Sequence, residues 1–126
     1  MQVQDYSDEV VDCQHSHTGP APLRLVGAAA LARAAAMLRT AADPERLRLL
    51  QLLSHGPRCV SELADLLNQP LPATSQRLRV LRSERLVHGA RDGRHIIYSL
   101  ADRHVSDLIL AVLAHADEPS APSPKS

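Results

Sequence analysis

Residues 86–100 read Leu86-Val87-His88-Gly89-Ala90-Arg91-Asp92-Gly93-Arg94-His95-Ile96-Ile97-Tyr98-Ser99-Leu100. Two β-prone runs flank Asp92-Gly93, and such a pair is a strong short-range hairpin signal because glycine accepts the positive φ that a tight turn demands. Two short helical segments lead into it. The first runs from about Val60 to Leu67 and is broken by Asn68-Gln69-Pro70-Leu71-Pro72. The second starts at Pro72 and carries Leu78 and Leu81 through to about Glu84. Two short helices on a tight connection, followed by a two-stranded ribbon, read as a helix-turn-helix with a wing.

Working outward, Leu23 to Leu38 is rich in alanine with Leu25, Leu31 and Leu38 interspersed, a composition that favours helix and permits close helix contacts. Asp43-Pro44-Glu45 then supplies an N-cap, a proline at the first helical position and an acid in the first turn. Leu47, Leu50 and Leu53 form the apolar stripe of that helix, which ends near His55-Gly56-Pro57. Downstream of the hairpin, Arg103 to Ala116 carries Val105, Leu108, Ile109, Val112 and Leu113 on one face. The expected fold is mainly α with a β-hairpin, in the order α-α-α-α-β-β-α. It is a winged helix-turn-helix whose flanking helices are free to form a homodimer. Residues 23–118 constitute this domain; 1–22 form an acidic, then Cys/His-rich arm expected to be flexible, and 119–126 a Pro/Ser tail disordered by composition.

The chain has 126 residues, room for one modest core. It has no Phe or Trp and only Tyr6 and Tyr98, which excludes the aromatic platforms that stack single-stranded bases. Net charge is zero, with 14 basic and 14 acidic residues, but the charges are segregated. Four acids and no base precede Cys13, whereas Thr74 to His95 holds six arginines against two acids, a local charge of +4. An ordinary solvated helix face is the alternative for such a cluster; its coincidence with the helix-turn-helix and hairpin favours phosphate contact instead. No run approaches the roughly 20 apolar residues of a membrane span, and the acidic start lacks a secretory signal's cationic region. A cytoplasmic protein without a membrane partner is expected, and its two cysteines, Cys13 and Cys59, suit thiolate chemistry better than a structural disulfide.

Two sets of residues have the chemistry of metal ligands. The last helix carries Asp102, His104, His115 and Glu118. His104 and His115 are eleven residues apart, on the order of 16 Å along a helix axis, too far for one ion within one chain. Asp102 with His104, and His115 with Glu118, are each close enough to chelate together. Two such helices packed antiparallel about a two-fold axis bring the first pair of one chain beside the second pair of the other. Two sites of two His and two carboxylates result. Solvated polar residues on an amphipathic helix are the plainer account of any one of these. The second set is Cys13, His15 and His17 in the arm with Cys59 and Glu62 at the third helix, where thiolates favour softer ions. Neither set leaves an open position for a substrate water and no nucleophile and base are paired, so an enzyme is not expected, nor a small organic substrate.

Four stretches together resemble the ArsR/SmtB family of metal-sensing repressors, most closely its SmtB-like zinc sensors. They are Ala42-Asp43-Pro44-Glu45-Arg46-Leu47-Arg48-Leu49-Leu50, Cys59-Val60-Ser61-Glu62-Leu63-Ala64, Ser75-Gln76-Arg77-Leu78-Arg79-Val80-Leu81-Arg82, and Gly93-Arg94-His95-Ile96-Ile97-Tyr98 with Asp102-x-His104 and His115-x-x-Glu118 following. The resemblance implies a homodimer that binds double-stranded operator DNA without metal and releases it when zinc binds, with cobalt, nickel, cadmium and copper(I) as alternatives. It further implies that the last helix holds the regulatory site and that the arm with the third helix forms a second one. On this reading Thr74, Ser75, Gln76, Arg77 and Arg79, with Arg82 nearby, contact bases and phosphates, and Arg91, Arg94 and His95 of the wing meet backbone or minor groove. His ligands bind only when neutral, so sensing should fail at acid pH.

The chain departs from the family pattern at Gln76, where many relatives carry His, at Pro70-Leu71-Pro72, where a Ser usually opens the helix, and at Glu62, where Asp is common. Cys59 also lacks a second adjacent Cys. Two alternatives stand beside the metal sensor: a thiol- or persulfide-sensing repressor of the same fold using Cys13 and Cys59, and a zinc-buffering protein with no DNA role.

Overall fold

The hairpin forms, and a third strand that β-propensity does not signal widens it into a sheet. The computed structural model describes residues 22–119; Cys13, His15 and His17 of the arm and residues 120–126 of the tail lie outside the described residues. Strand β1 is Arg58–Cys59, β2 Val87–Asp92 and β3 His95–Leu100. The sheet order is β1-β3-β2, both pairings antiparallel, with Arg58 opposite Tyr98, Cys59 opposite Ile97, and the wing running from Val87–Leu100 to Asp92–His95. The two turn residues are therefore Gly93-Arg94, one position later than Asp92-Gly93. Gly93 has φ +65° while Arg94 is not among the residues of positive φ, the pattern of a type II′ turn with glycine first. No atom lies within 4 Å of where a Cβ on Gly93 would stand, so glycine is needed there for its backbone alone.

Among the described residues five helices surround the sheet: α1 (Ala28–Ala41), α2 (Pro44–Leu53), α3 (Val60–Leu67), α4 (Leu71–Ser83) and α5 (Arg103–Asp117). The first begins five residues later than its alanine-rich composition suggests, because Gly27 takes an extended conformation and caps it; Leu23 and Leu25 precede it, each 83% exposed. Asp43 caps α2 as expected, its Oδ2 accepting the Arg46 N–H at 3.0 Å, and Asp102 caps α5 in the same way through Val105 N–H at 3.1 Å. Both helices of the helix-turn-helix end in a Schellman motif. At α3, Asn68 is left-handed (φ +54°) while Gln69 N–H donates to Ala64 O. At α4, Arg85 is left-handed (φ +63°) while Leu86 N–H donates to Leu81 O. The second motif places the buried Leu86 directly before the wing and so aims β2.

The core is leucine-built, as the composition demands. Leu49, Leu50, Leu63, Leu78 and Leu81 are fully enclosed, and Tyr98 from the central strand is the one ring among them. Helix α2 joins the halves: it packs on α4 on one side and on α5 on another, while α5 also touches β3. One face is left over. Leu31 and Leu38 of α1 and Leu108 and Val112 of α5 are each more than 40% exposed, and an apolar cleft of about 250 Å³ opens between the two helices. Apolar residues concentrated on two adjoining helices mark an interaction surface rather than ordinary scatter.

Candidate nucleic-acid interface and metal-ligating pairs

Helix α4 buries Thr74, Leu78 and Leu81, an i, i+4, i+7 stripe that turns the other flank outward. Gln76, Arg79 and Arg82 are exposed on that flank, and Ser75 and Arg77 are half-buried. Arg79 Nη1 lies 3.5 Å from Ser75 Oγ one turn earlier, so the two act as one patch. Thr74 is the correction. It is 1% exposed and its hydroxyl donates to Pro70 O at 3.0 Å, closing the first turn of α4 where no side-chain N-cap is available; it faces the core, not a groove of DNA. In the wing Arg91, Arg94 and His95 are all exposed. Ser75, Arg94 and His95 line one cleft of about 260 Å³ together with Cys59 and Ser61, so the start of α4 and the tip of the wing open on the same side. Arg82 is placed differently from its neighbours. Its Nη1 lies 3.4 Å from where a Cβ on Gly89 would stand, beside the Tyr98 ring, and so braces α4 against the wing.

The last-helix candidate ligands fall into two pairs, one at each end of α5. Asp102 Oδ1 is 3.7 Å from His104 Nδ1, and His115 Nδ1 is 4.0 Å from Glu118 Oε1. All four side chains are exposed. Neither carboxylate lies inside the helix proper: Asp102 is the N-cap and Glu118 the C-cap, where extended backbone turns it back toward His115. Capping occupies Asp102 Oδ1 and leaves Oδ2 free. Among the described residues no three His, Cys, Asp or Glu side chains converge, so within these residues each pair is at most half of a four-donor site. Two imidazoles and two carboxylates from two chains suit a borderline divalent ion in tetrahedral geometry.

At the second set the structure describes Cys59 and Glu62. Cys59 is the N-cap of α3, its Sγ 3.3 Å from Ser61 Oγ, and its thiol is held below the usual range by that hydroxyl and by the backbone N–H of Glu62. Glu62 is already engaged: Arg58 Nη1 donates to its Oε2 at 2.7 Å. Reading the sequence for ligands passes over Arg58, although its i, i+4 spacing to Glu62 is a visible signal once β1 delivers it to the helix start.

Comparison with known proteins bears on this arrangement. Residues 43–88 match the profile of the bacterial regulatory protein, arsR family. The HTH-type transcriptional repressor SmtB of Mycobacterium tuberculosis is 36% identical over 112 residues, 89% of this chain and 78% of that protein. The HTH-type transcriptional regulator NmtR of the same organism is 42% identical over 88 residues, 70% and 73% of the two chains. Among solved structures, the homodimeric winged helix-turn-helix DNA-binding domain of Mb0332 from Mycobacterium bovis, described as a possible ArsR-family transcriptional regulator, superposes with a TM-score of 0.69 at 32% identity. It covers 78% of this chain and 91% of that one.

Proposed function

The chain belongs to the ArsR/SmtB family of DNA-binding transcriptional regulators, which are not enzymes, and from that premise we propose that it is a zinc-responsive repressor which holds operator DNA as a metal-free homodimer and lets go when the ion binds. The observation that carries this reading is the division of candidate ligands on α5, with Asp102 and His104 at one end, His115 and Glu118 at the other, and no third donor near either among the described residues. Each pair is a half-site that a two-fold axis completes, and the exposed apolar face of α1 and α5 is the surface on which a second copy packs. Asp102 and His104 of one chain with His115 and Glu118 of the other would hold a divalent ion, which would supply a positive centre for their lone pairs.

The protein's own residues transmit the result. His104 and His115 draw the two α5 helices into one fixed crossing. Helix α5 is packed on α2, and α2 on α4, so that crossing sets the separation and tilt of the two reading helices. Ser75, Gln76, Arg77 and Arg79 then no longer meet successive major grooves together with Arg91, Arg94 and His95 of the wings. Coupling of this kind is typically about 1–3 kcal/mol, or about 5- to 150-fold in affinity. Lead and cadmium fit the α5 donors less well than zinc, cobalt or nickel, since those donors are nitrogen and oxygen only. The buffering alternative without DNA is set aside by membership of a DNA-binding family.

The test uses a duplex selected by the metal-free dimer from a random-sequence library. Anisotropy titration of that duplex should show weaker binding in zinc than in chelator, and His104→Ala and His115→Ala should bind the duplex normally but respond to zinc little or not at all. An unchanged affinity in zinc, or a full response in both variants, overturns the assignment. A thiol-responsive repressor is the second reading, favoured by the lowered Cys59 thiol; it predicts loss of binding on oxidation and indifference to chelator.

A further inference from the structure

The second ligand set meets α3 at a point where the fold already supplies a cation. Arg58 belongs to β1, and its backbone is pinned opposite Tyr98 by the central strand. Its side chain is 27% exposed, its Nη1 donates to Glu62 Oε2 at 2.7 Å, and its Nε is enclosed without a partner among the described residues. We infer that Arg58 takes the place of a metal ion beside Cys59 and Glu62, so that the α3 end of the molecule is closed to divalent ions and metal is bound by the α5 pairs alone. The inference rests on the metal-responsive reading for the α5 half of the statement only.

Three features support it. A guanidinium stays charged at any pH the protein meets, so the positive charge beside Glu62 does not titrate away. The contact it makes is a charge-assisted hydrogen bond with one carboxylate oxygen, which neutralises the anion a divalent ion would need. An ion placed between Cys59 and Glu62 would sit against that positive group, which β1 holds at the start of α3 through the pairing of Arg58 with Tyr98. Cys59 itself stays available to other chemistry, its thiol 3.3 Å from the Ser61 hydroxyl.

Native mass spectrometry of the full-chain dimer titrated with zinc tests the inference. The wild-type dimer should hold two zinc ions, Glu62→Gln should also hold two, and Arg58→Leu, which keeps an apolar stem and the β1 pairing, should hold four. Four ions in the wild-type dimer falling to two in Glu62→Gln would overturn it, as would an Arg58→Leu dimer that stays at two. A wild-type dimer holding none would sink the α5 reading, and the gain of two in Arg58→Leu would still stand as the test of Arg58. Since Glu62→Gln leaves β1 untouched, it reads the same question should Arg58→Leu fail to fold.

Discussion

Gly89 and Tyr98 face each other across the β2–β3 ladder so closely that a Cβ on residue 89 would stand 3.1 Å from Tyr98 Cε1. The ring fills the space a side chain would take, and Arg82 closes over the same spot from α4. Because Tyr98 is 4% exposed and central in the sheet, it has little room to withdraw. Gly89→Ala should therefore cost about 1–3 kcal/mol, the range for overpacked cores. Urea denaturation checks it; a midpoint equal to the wild type would mean that the ring yields freely.

Asp102 has two separable roles, cap and candidate ligand. Asp102→Ala should lower stability by about 0.5–2 kcal/mol through loss of the hydrogen bond to Val105 N–H and should also weaken zinc binding. Asp102→Asn keeps a capping oxygen and should melt close to the wild type while still binding zinc more weakly. If both variants bind zinc as tightly as the parent, Asp102 is a cap and nothing more.

A mixed dimer distinguishes sites built between chains from sites built within one. His104→Ala and His115→Ala homodimers each carry two damaged sites. A heterodimer of the two variants regains one intact site, from the Asp102–His104 pair of one chain and the His115–Glu118 pair of the other. Calorimetry on the purified heterodimer should find one zinc ion bound at near parental affinity. Its absence would mean that the two pairs do not combine across the dimer.

Thr74 and Arg79 lie five residues apart on α4 and should behave oppositely. Thr74→Val removes a buried hydroxyl bonded to Pro70 O and should cost about 1 kcal/mol of stability with the salt dependence of duplex binding unchanged. Arg79→Ala should leave stability nearly unchanged and flatten the slope of log affinity against log salt by about one. The reverse pattern would move the DNA contact to the opposite flank of α4.

Cys59 provides a pH readout. Hydrogen-bond donors from Ser61 and the Glu62 backbone favour its thiolate, so the thiol's pKa falls. Alkylation by iodoacetamide in a Cys13→Ser background should reach half its maximal rate at lower pH than an ordinary thiol. Ser61→Ala should move that midpoint back up. A profile indistinguishable from a free thiol would remove the helix-start effect.

What sequence alone determined was local. Asp43-Pro44-Glu45, the Asn68 break, the apolar stripe of Val105 to Leu113 and the β-prone runs around Gly93 each act through atoms a few residues apart, so helices α2 to α5 and the wing are legible without a fold. The pairing of the candidate ligands on α5 was legible too, since the i, i+3 spacing of His115 and Glu118 and the position of Asp102 beside His104 where the helix begins bring each pair together. Other features required chain segments distant in sequence to meet. Strand β1 is two residues whose extended form is set by pairing with β3 some forty residues later, and no propensity announces it. That pairing delivers Arg58 to Glu62 and turns a candidate ligand into a counter-ion. Thr74 reads as a polar residue on an arginine-rich helix until the leucines beneath α4 enclose it. Tertiary structure decided which of the polar side chains face outward, because burial depends on what packs across a helix and not on the helix itself.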